Sequence, residues 1–294
     1  RKSVLVTGTS SGLGLATAVE LAERGFRVFA TMRDVARRGE LETQAARRGV
    51  TIEVLPLDLT QPATIQSAIA TIIERTGSLY GVVNNAGVAL RGFFEDLTED
   101  EIRHVFETNV FGTMAVTRAA LPHMRAVREG RIVIVTSVGG RQGVLALSGY
   151  CASKFALEGF GEALMQEVKP FGISVSLVAP GITPTPIWER SIAKNALNPD
   201  SPYYHLFLGY RRMVQQVMDG ATVTPEAVGR TIGDLMMTDR PRLRYLIGWR
   251  PKVVFALRRY LPGEIFDRAY TRLVVRRVQS GPRPANHSQT RLTP

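Results

Sequence analysis

Tyr150 and Lys154 stand four positions apart, and Ser137 lies thirteen positions before the tyrosine. On a helix, side chains at i and i+4 share a face. The Lys154 ammonium then favours the phenolate of Tyr150 and lowers its pKa. An oxidised nicotinamide beside the ring would lower it further, which suits Tyr150 to give or take a proton near neutral pH. Lys154 is also suited to hold the nicotinamide ribose. Ser137 follows a predicted strand, where its hydroxyl can steady an oxygen on which charge develops. Asn109, within Thr108-Asn109-Val110-Phe111-Gly112, is a poor helix former in mid-helix; it predicts a local break and a water relay to Lys154. Tyr at i with Lys at i+4 is common by chance; joined to the glycine segment near the N-terminus, these residues imply hydride exchange between a nicotinamide and a carbonyl or alcohol carbon, with Tyr150 handling the proton.

Near the N-terminus, Thr7-Gly8-Thr9-Ser10-Ser11-Gly12-Leu13-Gly14 closes an apolar run and opens a helical pattern. That is the context of a dinucleotide-binding turn, here spaced Gly-x3-Gly-x-Gly rather than Gly-x-Gly-x2-Gly. Gly8 permits the tight turn, Gly12 lets the backbone approach a pyrophosphate, and Gly14 allows close helix packing, while the helix N-terminus faces the anion. Gly8, Ser10, Ser11, Gly12, Leu13 and Gly14 are therefore candidate cofactor contacts. The second strand ends in Thr31-Met32-Arg33-Asp34. An acid at this strand end would bind a ribose 2′-hydroxyl, and Met32 stands there instead. Arg33 can stack on adenine and pair with a 2′-phosphate, with Ser11 as a further donor, so NADP(H) is expected ahead of NAD(H). Asp58, followed by Leu59, ends the third strand, and its carboxylate suits either the adenine amino group or the cap of the next helix. Asn84-Asn85-Ala86-Gly87 ends the fourth strand, where open α/β sheets bind ligands; the Asn85 side chain is suited to hold the turn.

These residues need a frame. Apolar runs predict strands over 4–7, 27–31, 52–57, 81–83, 131–136, 174–179 and 242–247. Helical patterns fall between most of them, over 14–24, 62–76, 99–124, 150–169 and 225–238. Strands alternating with helices of this length imply βαβ units and a parallel sheet covered on both faces. With right-handed crossovers this is a doubly wound, Rossmann-type α/β domain, expected to span residues 1–280 as one unit. Residues 281–294 are rich in Pro, Arg and polar residues and are expected to be a disordered tail.

Composition narrows the classes. A single cysteine, Cys151, excludes an internal disulfide and a Cys-rich metal site, and a packing role is expected for it. No HExxH, Cys/His cluster or Walker lysine occurs, so neither a metal nor a nucleoside triphosphate is expected. No signal-peptide pattern and no apolar stretch of about 18 residues is found, so a membrane-spanning helix is not expected; a cytoplasmic location is, with membrane association as an alternative. The net charge of +11 is uneven: residues 1–239 hold 24 basic and 24 acidic side chains, and residues 240–277 hold 11 basic and two acidic ones. That stretch mixes arginines with Trp249, Val253, Val254, Phe255, Leu257, Tyr260, Leu261 and Ile265. It suits a packed C-terminal cap over 249–280 with a solvated basic face, or an amphipathic surface for peripheral membrane contact. Nucleic acid is not expected, because no recognition motif accompanies the charge.

With these motifs in order, the chain resembles the short-chain dehydrogenase/reductase family over roughly residues 3–250. The likeness rests on the glycine turn, Asn84 to Gly87, Asn109, Ser137, Tyr150, Lys154 and Pro180-Gly181. It implies a catalytic tetrad of Asn109, Ser137, Tyr150 and Lys154. It implies that Ile182 and Thr185, after Pro180-Gly181, bind the nicotinamide carboxamide. It also implies a homodimer or homotetramer through helices 99–124 and 150–169. Val28 to Asp34, Ser137 to Gly140, Tyr150 to Gly159 and Leu243-Arg244-Tyr245 look like the 17β-hydroxysteroid and retinol dehydrogenase branch, which prefers NADP(H) and bulky apolar alcohols or ketones. Residues 186–218 do not match that branch's substrate loop. Residues 182–218 include Ile187, Trp188, Tyr203, Tyr204, Leu206, Phe207, Tyr210 and Met213. They are expected to form an apolar lid that selects a hydrophobic small molecule, with most of the aromatics packing within the lid itself. A natural-product ketone is the alternative substrate, and a silent NADP(H) sensor the alternative role.

Overall fold

A computed structural model of the protein describes residues 1–280; the expected tail over 281–294 lies outside the described residues. The strands are β1 (Ser3–Thr7), β2 (Arg27–Met32), β3 (Glu53–Pro56), β4 (Gly81–Asn84), β5 (Gly130–Val135), β6 (Ile173–Pro180) and β7 (Arg244–Ile247). They form one sheet in the order β3-β2-β1-β4-β5-β6-β7, and every pair is parallel. The helices are α1 (Gly12–Glu23), α2 (Gly39–Arg47), α3 (Pro62–Thr76), α4 (Glu99–Phe106), α5 (Gly112–Val127), α6 (Ser148–Val168), α7 (Tyr204–Asp219), α8 (Pro225–Met237), α9 (Trp249–Tyr260) and α10 (Gly263–Gln279).

Period-two alternation divides the core. Leu5 faces the layer of α3, α5 and α6, with Ile65, Ile69, Val116 and Leu157, while Val4 and Val6 face α1, α2 and α8, with Ala18, Leu41 and Ile232. Both faces are buried, which is why the strands read as continuous apolar runs. The strand order reverses between β1 and β4, so the loops after these strands diverge and leave a crevice at their carboxyl ends.

The helix expected over 99–124 is interrupted. A π-turn occupies Glu107–Phe111 between α4 and α5, closed by the Gly112 amide on the Glu107 carbonyl. Asn109 sits inside it, where the helical pattern predicted a break. The pattern did not predict α2, α7, α9 and α10 as helices. Buried positions are few in three of them (Leu41 and Ala45 in α2, none in α9, Phe266 and Val278 in α10), whereas α7 buries Phe207, Gly209, Tyr210 and Val214. The expected lid is only partly helical, since α7 begins at Tyr204.

Candidate active site

The turn between β1 and α1 is built by close approach. Gly8 and Gly12 have φ of +72° and +59°, the left-handed region that suits glycine. A Cβ on Gly14 would stand 2.2 Å from the Gly8 carbonyl oxygen and 2.4 Å from Asn85 Nδ2. Asn85 Nδ2 donates to Thr7 O at 2.9 Å and to Gly8 O at 3.2 Å. Thr7 Oγ1 accepts from the Asn85 and Ala86 amides at 3.0 Å each. The loops after β1 and β4 are thus one hydrogen-bonded unit. Gly14→Ala is expected to push them apart at a cost of about 1–3 kcal/mol, typical of overpacking against atoms that cannot yield. Thermal unfolding should show a lowered Tm and titration a weakened NADPH affinity; wild-type values for both would remove this role from Gly14.

Between the loops lies a cleft of about 530 Å³, within the about 300–1,000 Å³ of ligand sites. Gly8, Ser10, Ser11, Gly12 and Leu13 line one side and residues 85–89 the other. Arg33, Asp58 and Leu59 lie at one end, and Thr185, Pro186, Ile187 and Arg190 come over from the segment after β6. Gly14, Pro180, Gly181 and Ile182 stand outside this lining. Pro180 ends β6, and the Gly181 amide donates to Ile247 O at 3.0 Å. Arg37, His104, Thr108 and Arg190 also line the cleft and were not anticipated. Arg37 lies four positions after Arg33, in the short turn Val35–Arg38; Arg190 carries no sequence signal.

The cleft's charge suits an anionic nucleotide. Arg33 and Arg37 are exposed, and among the described residues neither pairs with a carboxylate within 4.0 Å. The nearby acid is engaged elsewhere: Asp34 Oδ1 accepts from the Ala36 amide at 3.0 Å and caps the turn Val35–Arg38. Met32 is buried at the strand end. Asp58 does not cap α3, whose N-cap is Gln61. Its Oδ1 instead accepts from the Thr60 amide and hydroxyl at 2.9 and 2.8 Å. A backbone cradle that side chains would fill, a helix N-terminus and two unpaired guanidinium groups fit a dinucleotide with a 2′-phosphate.

Beyond Gly87 the structure brings Ser137, Tyr150, Lys154 and Asn109 together. A Cβ on Gly87 would lie 3.0 Å from Asn109 Oδ1 and 3.7 Å from Lys154 Nζ, so this group adjoins the cleft. Ser137 caps a short turn, its Oγ accepting from the Gly139 amide at 3.0 Å, which leaves its own proton free to turn toward Tyr150; a Cβ on Gly139 would lie 3.5 Å from both Ser137 Oγ and the Tyr150 ring. Lys154 Nζ donates to Val135 O at 3.0 Å. Asn109 is held on both sides: Oδ1 accepts from the Val88 amide at 2.8 Å, and Nδ2 donates to Val88 O at 2.9 Å and Ser153 Oγ at 3.0 Å. Both of its amide hydrogens are used, and its Oδ1 accepts one bond with a second lone pair to spare. A second network fixes α6 against the sheet. Buried Glu158 accepts from Thr136 Oγ1 at 2.7 Å and from Arg244 Nε at 3.1 Å.

The electrostatics differ from the expected lowering of the phenol. Burial pushes Tyr150 up to about 12, only partly opposed by the Ser137 hydrogen bond, and burial pushes Lys154 down to about 8. Lys154 lies 5.8 Å from the Tyr150 ring centroid, so for the protein alone desolvation outweighs the attraction between the two groups. Cys151 is buried, its thiol pushed up by desolvation, which keeps it protonated and inert.

A third apolar cluster lies over this end of the sheet. Phe207 and Tyr210 of α7 are fully buried in it, with Leu90, Val105, Val214 and Val278, and Trp188, Leu145 and Met213 pack around it. Tyr203 stacks on Phe93 with centroids 4.9 Å apart. The segment before α7 is pinned by Arg91, which the sequence did not flag. Arg91 Nε donates to Ser191 Oγ at 2.7 Å, Arg91 Nη2 bonds the Trp188 carbonyl, and the Ala193 amide donates to Arg91 O at 2.9 Å.

A parallel doubly wound sheet, a nucleotide-sized cleft at its reversal point and a Ser–Tyr–Lys cluster beside it define a Rossmann-type oxidoreductase. The model of the short chain dehydrogenase family matches residues 2–196, and the chain belongs to that family. It is 35% identical to retinol dehydrogenase 8 of Bos taurus, over 91% of this chain and 88% of that protein. It is 36% identical to 17-beta-hydroxysteroid dehydrogenase type 1 of Homo sapiens, over 89% of this chain and 79% of that one. Among solved structures, a short-chain dehydrogenase from Streptomyces avermitilis superposes with a TM-score of 0.76 at 32% identity, covering 95% of this chain and 97% of that one. An actinorhodin polyketide ketoreductase variant with NADPH superposes with a TM-score of 0.72 at 29% identity, covering 84% and 95%.

Proposed function

We propose that this enzyme interconverts a hydrophobic ketone or aldehyde and its alcohol with NADP(H), and that Tyr150 is its general acid and base. The observation that carries the reading is the cluster at the edge of the nucleotide cleft, with Lys154 and Asn109 against Gly87 and Ser137 and Tyr150 side by side against Gly139. The cofactor supplies or accepts the hydride. In reduction, Tyr150 gives its proton to the substrate oxygen, and Ser137 donates a hydrogen bond to the same oxygen as charge builds on it. Lys154 keeps a positive charge near the phenol and holds the nicotinamide ribose. Asn109 positions: it clamps residue 88 to Ser153 on α6 and so sets the tyrosine's height over the cleft. A phenol pushed up to about 12 is protonated at neutral pH, the form that gives the proton in reduction.

The hydrophobic substrate is supported by the apolar cluster beneath α7, and by likeness to proteins named for retinol and a hydroxysteroid. A natural-product ketone is the second reading, favoured by the likeness to the polyketide ketoreductase. The Ser10, Ser11, Arg33 and Arg37 end of the cleft supports NADP(H) over NAD(H). For assembly, Phe111 and Phe155, 53% and 45% exposed on or beside helices α5 and α6, are apolar groups that a dimer or tetramer would cover.

The experiment is fluorescence titration with NADPH and NADH on wild type, Arg33→Ala and Arg33→Ala/Arg37→Ala. Each charge-assisted pair lost should weaken NADPH by about 1.5–3 kcal/mol, more than tenfold, with NADH barely changed. Equal affinity for the two cofactors in the wild type would overturn the 2′-phosphate site. A screen of apolar ketones, steroids, retinoids and polyketide-like ketones then separates the substrate readings.

A further inference from the structure

Helix α9 turns its inner side to the protein and leaves an apolar face in solvent. Phe255 lies under the Arg141 guanidinium at 4.9 Å, Arg258 Nη1 donates to Arg141 O at 2.7 Å, and Pro251 lies against Gly181 at the end of β6. Outward, Trp249, Val253, Leu257 and Tyr260 are 59%, 49%, 49% and 81% exposed. At 100° per residue these four fall within one stripe. Arg250 borders it on one side, and Lys252 and Arg259 on the other. Nothing in the helix is acidic. Leu261 and Ile265 extend the apolar surface onto the start of α10, where Arg268, Arg272 and Arg276 are also exposed.

We infer that this face docks on an anionic phospholipid bilayer. An apolar stripe carrying a tryptophan and a tyrosine, edged by cations, is the arrangement that lies in the headgroup region with its cations toward lipid phosphates. The charge argues for this occupant over a second copy: pairing two such faces would oppose like charges from residues 240–277, which hold 11 basic and two acidic side chains. It argues over nucleic acid because Val253, Leu257 and Ile265 would gain nothing from phosphates or bases. The docking is peripheral, since no helix among the described residues is long and apolar enough to cross a membrane. Because α9 packs on Gly181 and Arg141, docking brings the substrate end of the sheet to the lipid surface.

The test is vesicle co-sedimentation of the full chain, without cofactor or substrate, so its outcome is independent of the substrate reading. Vesicles of pure phosphatidylcholine are compared with ones of about three parts phosphatidylcholine to one part phosphatidylserine. Expected is binding to the anionic vesicles alone, with a blue shift of tryptophan emission that Trp249→Phe removes. Lys252→Glu/Arg259→Glu should weaken binding at least about tenfold, and Trp249→Ala/Leu257→Ala should weaken it comparably with the charge unchanged. All four side chains are exposed and none lines the cleft, so Tm and turnover should be retained. Absence of binding to either vesicle overturns the inference, as does binding that ignores phosphatidylserine and the charge reversal. Self-association in ultracentrifugation that Trp249→Ala/Leu257→Ala abolishes, without vesicle binding, assigns the face to a second copy. Tighter binding to single-stranded DNA than to anionic vesicles assigns it to nucleic acid.

Discussion

Tyr150→Phe is expected to lower kcat by about 10²–10⁴-fold, the contribution of a positioned general acid, with NADPH affinity largely retained. The change removes one hydroxyl and leaves the ring to pack as before, so Tm should stay close to wild type. Stopped-flow with NADPH and a ketone substrate would place the loss in the chemical step, while titration of the same variant reports binding. A variant that turns over at near wild-type rate sinks the assignment of the proton to Tyr150. One that loses NADPH binding in parallel would mean that the tyrosine holds the cofactor rather than the proton.

Lys154→Met is expected to separate function from stability. Lys154 is buried, and its ammonium is pushed from 10.5 down to about 8. A depressed lysine pKa means that the unfolded chain binds more protons than the native one between about pH 8 and 10.5. Stability therefore rises with pH across that window, and the full penalty of the buried charge is present below it. Methionine of similar length removes the penalty, so the cofactor-free variant should melt higher than wild type at pH 7, with the gap narrowing as pH approaches 10.5. Turnover should fall steeply, because the charge beside the phenol and the hold on the ribose are gone. Tyr150 contributes the opposite trend at higher pH: its phenol is raised from 10 to about 12, so its contribution is present below pH 10 and lost as pH climbs to 12. Thermal melts of wild type and Lys154→Met from pH 7 to 10 check the sign. A variant less stable than wild type at pH 7, with no pH-dependent gap, would show that the Nζ bond to Val135 O outweighs the desolvation of the charge.

The two predictions share a cause. The chain buries an acid and a base at one spot with few partners, so each keeps its neutral form more than it would in water. That arrangement costs stability and holds a proton where a substrate oxygen would arrive, a trade familiar at reactive sites.

Much of this protein was legible in its residues. The β1 turn, the strand ends at Arg33, Asp58 and Asn85, and the Tyr150–Lys154 pair are short-range patterns, and a parallel sheet buried on both faces writes itself as plain apolar runs. The parallel, doubly wound sheet followed from the alternation of strands and helices together with crossover handedness, whereas the strand order, and with it the place of the cleft, came from the structure. What tertiary structure decided depends on contacts across long separations. Arg91 reaches Ser191, a hundred positions away, and Glu158 meets Arg244 across 86. Arg190 enters the cleft from a segment with no regular structure. Asn109 announced a break in its helix, but which groups would take up its amide was set by the packing of the β4 loop on α6. The direction of the Tyr150 shift likewise lay beyond the sequence: spacing supplies the neighbouring charge, and only the packed structure says how much water both groups lose. Helices α9 and α10 were visible as charge and apolar content, whereas which side faces solvent is a property of how they dock on Arg141 and Gly181.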